Sequence, residues 1–131
     1  MTTNTILVVL PLIRGKNNFL VVTHANPDGD ALGSTFSMLN FLRENGKKAQ
    51  ALLPEPLPNN YKSFVPGDFA QSLSKDEVNS FDVCLCIDVS TAERVALGPG
   101  LSRSDITIPL VNMDHHPDNT LFGDINIVEP A

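Results

Sequence analysis

Apolar positions along this chain fall into short continuous runs, separated by one helical spacing and by clusters of turn residues. Phe19 to Thr23 (FLVVT) is one such run and predicts a strand covered on both faces, as parallel strands are. From about Asp30 to Asn45, apolar Leu32, Phe36, Leu39 and Phe41-Leu42 recur close to i, i+3, i+4, i+7. That spacing predicts an amphipathic helix, stopped at Asn45-Gly46. Lys48 to Leu53 predicts a second strand, ended by the proline-rich run at 54–58. Tyr61 to Asp68 reads as a short helical turn and loop, and Ser74-Lys75-Asp76-Glu77 as the capping-box start of one more short helix.

Phe81 to Val89 (FDVCLCIDV) is the most continuous apolar run and predicts a third strand, closed by Asp88. Thr91 to Leu101 is expected to begin as a helix and break at Gly98-Pro99-Gly100. Ile106 to Met113 (ITIPLVNM) predicts a fourth strand, in which Pro109 points to an edge position or a bulge. Ile125 to Val128 closes the set as a short strand. The apolar stretch Ile6 to Ile13 reads as a first helix broken or capped near Pro11, or as a leader partly foreign to the fold. Strands alternating with helices give the fold class: α/β, a doubly wound, mainly parallel sheet with helices on both faces.

Composition narrows the function classes. The 131 residues suit one domain with a continuous core. At 42% hydrophobic and 18% charged residues, the chain has a folded rather than a disordered composition. No apolar run approaches the ~20 residues that span a bilayer. Ile6 to Ile13 has no basic residue ahead of it, so no signal peptide and no membrane partner are expected. A net charge of −6 and a pI of about 4.8 argue against a grip on a long nucleic-acid duplex. A short anionic substrate stays open, because bound metal ions would reverse the local sign. Cys84 and Cys86, two apart on a strand, face one side and read as buried thiols in a reducing cytoplasm. Further soft ligands for a zinc site are absent.

The chemistry-bearing stretch is His24-Ala25-Asn26-Pro27-Asp28-Gly29-Asp30-Ala31-Leu32-Gly33-Ser34, on a strand-to-helix turn. Pro27 and Gly29 let the loop curl and bring an imidazole and two carboxylates together. In the plainer reading, Asp28 or Asp30 simply accepts the first free N–H groups of the helix. Two more strand ends carry polar groups: Asp88, and Asp114-His115-His116. Carboxyl ends of parallel strands share one sheet edge, so the three sets converge where open α/β sheets place their sites. Four crowded aspartates repel unless cations neutralise them. Two ions ~3.5–4 Å apart, bridged by a carboxylate, are suited to attack on phosphorus. Hard ions such as Mn²⁺ accept this mixture of carboxylate and imidazole.

The order HxxxDxD, then a strand-terminal aspartate, then DHH resembles the DHH phosphoesterase superfamily. Its members include RecJ-type exonucleases, family II inorganic pyrophosphatases, cyclic-dinucleotide phosphodiesterases and the small oligoribonucleases called nanoRNases. The stretches HANPDGDALGS and DHHPDNTLFGDINIVEPA are most similar to the nanoRNase group. That resemblance implies hydrolysis of very short RNA, of the 3′-phosphate of phosphoadenosine phosphate, or of both, by hydroxide that two metals activate. It assigns His24 and Asp28 to a first metal, Asp30 and His115 to a second, and Asp88 to both. His116 would face the substrate phosphate, and Asp114 would orient one of the histidines; these two are the implied catalytic residues. Two divalent cations are implied, Mn²⁺ first, with Mg²⁺ or Co²⁺ as substitutes. Ser34 and Asn119 are further candidates for hydrogen bonds to phosphate.

Members of the group continue past the Glu-Pro-Ala segment with small residues, a helix, a further aspartate for the second metal and a substrate-binding DHHA1 domain. Residues 1–131 are therefore expected to be the N-terminal part of the DHH catalytic domain, truncated before its end and inactive or impaired alone. In that state one ion, held mainly by His24, Asp28 and Asp88, should bind more tightly than a second. The expected partner is a short RNA or nucleotide, and a homodimer is allowed. The rival readings are cleavage of a linear or cyclic dinucleotide, and a non-catalytic nucleotide-binding module.

Overall fold

The computed structural model describes residues 6–57, 59–62 and 67–130. Each apolar run that predicts a strand forms one: β1 (Asn18–Val22), β2 (Lys48–Ala51), β3 (Val83–Ile87), β4 (Leu110–Asp114) and β5 (Ile125–Val128). They pair in the order β2-β1-β3-β4-β5, every pairing parallel. Helices α1 (Ile6–Gly15) and α2 (Gly29–Glu44) are the long ones; α3 (Asn59–Lys62) and α4 (Lys75–Val78) are single turns. The α/β class and the parallel sheet are as the sequence predicts.

Alternation along the strands divides the core into two layers. On one face, Phe19, Val21, Leu85, Val111 and Ile127 pack with Val9 and Ile13 of α1 and Leu32, Phe36, Leu39 and Leu42 of α2. Phe41 leaves this set and is 48% exposed. On the other face, Leu20, Val22, Cys84, Cys86 and Leu110 meet Val78 of α4, Val89, Leu97 and Ile106. Both cysteines are free and buried on that face. Burial pushes the Cys84 thiol up to about 12 and raises Cys86 as well, which leaves both unreactive.

Three local expectations need correction. Pro109 does not mark an edge or a bulge. The ladder begins one residue later at Leu110, and β4 lies between β3 and β5. Lacking an N–H, Pro109 contributes only its carbonyl, which accepts from Cys84 N at 2.9 Å. The region from Thr91 forms a single 3₁₀ turn, Ala92–Arg94, in place of an α-helix. Its backbone is engaged by the end of β1: His24 bridges Val95, and Ala96 N donates to Thr23 O at 2.9 Å. Finally, α1 runs through Pro11 to Gly15. Pro11 is exposed, so water can satisfy the carbonyl that loses its partner. Part of the loop expected at Tyr61 to Asp68 (63–66) lies outside the described residues. Among the described residues, no helix is long and apolar enough to cross a membrane.

One capping carboxylate fixes where the central strands begin. Asp82 Oδ2 accepts from the backbone N–H of Asn17 and of Asn18, both at 3.0 Å, at the start of β1. Those two hydrogen bonds hold its pKa below the usual value. A depressed folded pKa means stabilisation that is present above the unfolded value, about 3.9, and lost as pH falls through the folded one. Asp82→Asn should therefore lower the unfolding midpoint at pH 7, with the gap from wild type narrowing as pH falls below the ordinary carboxylate value of about 3.9. Thermal melts across that range check it; a gap of constant size would contradict the assignment.

Candidate metal centre

β1 delivers His24 to the carboxyl edge of the sheet, two residues beyond its last paired position. Thr23 Oγ1 donates to Ile87 O at 2.7 Å, which ties the end of β1 to the end of β3. The His24 ring is oriented from behind: Nδ1 lies 2.6 Å from the carbonyl of Ala25, so Nδ1 carries the proton. Nε2 then points forward, 3.9 Å from Asp28 Oδ1 and 3.7 Å from Asp88 Oδ2. Histidines that bind metals are commonly fixed through the other ring nitrogen in this way. The chain turns back at Asn26, whose φ is +52°, and Asn26 N donates to Glu55 Oε1 at 3.0 Å. Asp28 is then the N-cap of α2, its Oδ1 accepting from Ala31 N at 2.9 Å. The plain capping role is thus real, and the same oxygen is the one nearest His24.

Asp88 is the centre of the cluster. It follows β3 directly with φ of +63°, a left-handed conformation that aspartate tolerates better than most residues. Its N–H donates to Met113 O at 2.9 Å, so the turn is tied to β4. The side chain is 7% exposed, and its two oxygens face opposite ways. Oδ2 faces His24, while Oδ1 lies 2.9 Å from His115 Nε2. Burial raises the Asp88 pKa, and the nearby charge of Asp30 adds to the rise, against the lowering effect of the His115 hydrogen bond.

β4 supplies the rest. Asp114 is its last residue, with a side chain wholly withdrawn from solvent. His116 Nδ1 lies 2.6 Å from Asp114 Oδ1. For Asp114, burial is the largest influence and works upward. Hydrogen bonds from Asn119, His116 and the His115 backbone outweigh it and hold the carboxyl below its usual value. His116 is in turn held above its usual value, chiefly by the hydrogen bond to Asp114. His115 Nε2 also lies 3.3 Å from Asp30 Oδ2.

The donor set fits divalent cations. His24, Asp28 and Asp88 offer ligand atoms within 4.8 Å of one another, and so do Asp88, Asp114, His115 and His116. An ion about 2.1 Å from each ligand holds neighbouring donors roughly 3–4 Å apart. The separations of 3.7 and 3.9 Å around His24, and 2.9 and 3.3 Å around His115, lie in that range. All the ligands implied by the sequence stand at this edge. Asp30 reaches His115 but belongs to neither tight set; Asp114 and His116 complete the second one.

Ser34 lies beside Asp30, Gly29 and Gly33 on the wall of a groove. Asn119 is not available to a phosphate. Its Nδ2 donates to Asp114 Oδ2 and Val89 O, and its Oδ1 accepts from Asn112 and Leu121. Sequence reasoning missed Thr23 and Glu55. Thr23 had a signal, as the polar residue closing an apolar run; Glu55, lodged between prolines, had none.

Known proteins resemble this chain in sequence and in fold. The family described as "DHH family, N-terminal domain" matches residues 18–131. Over 123 residues the chain is 27% identical to the bifunctional oligoribonuclease and PAP phosphatase NrnA of Thermus thermophilus, covering 94% of this chain and 35% of that protein. It is 28% identical over 117 residues to an uncharacterised protein of Mycoplasma pneumoniae, covering 88% and 34%. An exopolyphosphatase-related protein from Bacteroides fragilis shares the fold at a TM-score of 0.79 and 23% identity, over 94% of this chain and 38% of that one. The chain spans about a third of the length of the curated relatives it matches.

Proposed function

The chain belongs to the DHH family, and from that membership we propose that it is the metal-binding catalytic part of a phosphoesterase. Its substrates in this reading are short oligoribonucleotides, the 3′-phosphate of phosphoadenosine phosphate, or both. The observation that carries the reading is the Asp88 carboxylate, which turns one oxygen to His24 and the other to His115. One cation would be held by His24, Asp28 and Asp88, and a second by Asp88, His115 and Asp30, with Mn²⁺ the preferred ion. Such a pair supplies Lewis acidity to the phosphoryl oxygens and a source of hydroxide at neutral pH.

The chain's own groups do the rest. Ionised Asp28, Asp30 and Asp88 supply the negative charge that cations neutralise, and burial of Asp88 keeps that charge unscreened by water. With Nδ1 of His116 tied to Asp114, Nε2 is the nitrogen offered to a substrate. The pair with Asp114 makes that ring more basic, so its cationic form persists to higher pH and suits an anionic phosphate. The same reading places the protein in the cytoplasm, where Cys84 and Cys86 remain thiols.

A panel of phosphoadenosine phosphate, diadenylate, a short RNA and pyrophosphate tests the proposal, with Mn²⁺ present and with it chelated. It would be run on the 131-residue chain and on the natural full-length protein. Turnover of the first three by the full-length protein, lost on chelation, supports the reading. Turnover of pyrophosphate alone moves the substrate to another branch of the family. Metal binding without turnover of any of them would make the domain a binding module.

A further inference from the structure

We infer that Asn119 is a positioning residue that sets the His116 ring through Asp114; this rests on the phosphoesterase reading for the claim that His116 meets substrate. Asp114 is buried, and its Oδ1 is engaged by His116. Its Oδ2 therefore needs a donor, because an unpartnered buried carboxylate oxygen is costly. Asn119 Nδ2 is that donor, at 2.8 Å.

The amide is fixed by everything else it touches. Its second N–H donates to Val89 O at 3.1 Å, while Oδ1 accepts from Leu121 N at 2.7 Å and Asn112 Nδ2 at 2.9 Å. Two donors and two acceptor positions are all engaged, so a flipped amide would aim oxygen at a carboxylate and a carbonyl. Asn119 N also donates to His116 O at 3.2 Å, and Thr120 N to Ser90 O at 2.9 Å, which closes the loop onto the end of β3. Behind Asn119 stands a second layer of amides. Fully buried Asn112 on β4 also donates to Asn126 Oδ1 on β5 at 3.2 Å, and Asn126 exchanges hydrogen bonds with both backbone groups of Gly123. A line of amides thus runs from β5 through Asn112 and Asn119 to Asp114 and His116. Buried networks in which each member holds the next rigidify one geometry.

Asn119→Ala and Asn119→Asp test the inference. The second keeps both acceptor bonds of Oδ1 but sets a carboxylate oxygen against Asp114 Oδ2 and Val89 O, so it opposes the Asp114 contact more strongly than alanine does. Circular dichroism establishes that each variant is folded before it is scored. Because His116 acts on the reaction rather than on the loop, kcat should fall about tenfold or more, as small misplacements of catalytic groups do. KM should move by less than about threefold. In a His116→Ala background the same changes should have little further effect, since both act through one ring. Independently of turnover, the ¹⁵N signals of His116 in the metal-free chain should lose the Nδ1–H tautomer pattern in both variants. A raised KM at unchanged kcat that persists in the His116→Ala background would make Asn119 a phosphate contact and overturn the inference. Equal losses with and without His116 would make it merely structural and overturn it too. If the wild type hydrolyses nothing, the phosphoesterase reading fails, and the ring signals alone decide the positioning role: changed signals support it and unchanged ones refute it.

Discussion

Asp88→Asn is expected to lower metal-dependent turnover on the order of a thousandfold, comparable to losing a central electrostatic group of an active site. Divalent-ion binding should weaken at both halves of the centre together. The reason is the position of one carboxylate: His24 and Asp28 stand on the side of Oδ2, and His115 on the side of Oδ1. An asparagine keeps one oxygen and replaces the other with an N–H₂ group that repels a cation. Backbone conformation is not the cause, because asparagine tolerates the +63° φ as well as aspartate does. Stability should move the other way. Burial raises the Asp88 pKa, so in the metal-free fold its charge is held at a cost. The metal-free variant should therefore melt at the same temperature as wild type or higher, the usual exchange of stability for function at a charged site. Turnover assays and metal-free melts check both halves; activity within tenfold of wild type would remove Asp88 from the centre.

Gly123→Ala is expected to destabilise the fold by about 1–3 kcal/mol, the range for an overpacked core position. A Cβ there would sit 2.7 Å from the carbonyl oxygen of Ile125 and 3.0 Å from both N and Cβ of Asn112. Two of those three atoms are backbone, so a side-chain rotation cannot relieve the contact. What the position requires is close approach between the start of β5 and β4, one of the established uses of glycine in sheets. The neighbours that must shift include Asn112, so the amide line leading to His116 would be disturbed with them. Gly33 is the control. It lies inside α2 with nothing within 4 Å of its built Cβ, and Gly33→Ala should stabilise by about 0.5–1 kcal/mol. Urea midpoints of the two variants check the contrast, and equal shifts would contradict it.

The apolar runs carried most of the fold, because a parallel strand buried on both faces keeps most polar residues to its ends; Asn112 and Asn126 are the exceptions, and they hydrogen-bond each other. For the same reason the site was legible. His24, Asp88 and Asp114-His115-His116 each stand at or just past the carboxyl end of such a run, and parallel pairing sends all of them to one edge. What the sequence hid depends on partners distant along the chain. Pro109 looked like an edge marker because a strand boundary cannot be read to one residue, and one residue decides whether proline lies inside the ladder. Thr91 to Leu101 has residues that suit a helix, but bridging to His24 claims its backbone instead. Phe41 fitted the helical spacing, yet no described element covers that side of α2 enough to bury it. Asn119 reads from sequence as a candidate hydrogen bonder to phosphate or as a turn residue, because nothing local shows that Asp114, Val89, Asn112 and Leu121 claim its amide.

The measurement that tests the bridged centre most directly is electron paramagnetic resonance of the chain titrated with Mn²⁺. Two ions that shared the Asp88 carboxylate would lie ~3.5–4 Å apart and couple magnetically. At saturation the account predicts a coupled two-manganese spectrum that Asp88→Asn abolishes. Only uncoupled single-ion signals, at every manganese concentration up to saturation, would contradict it.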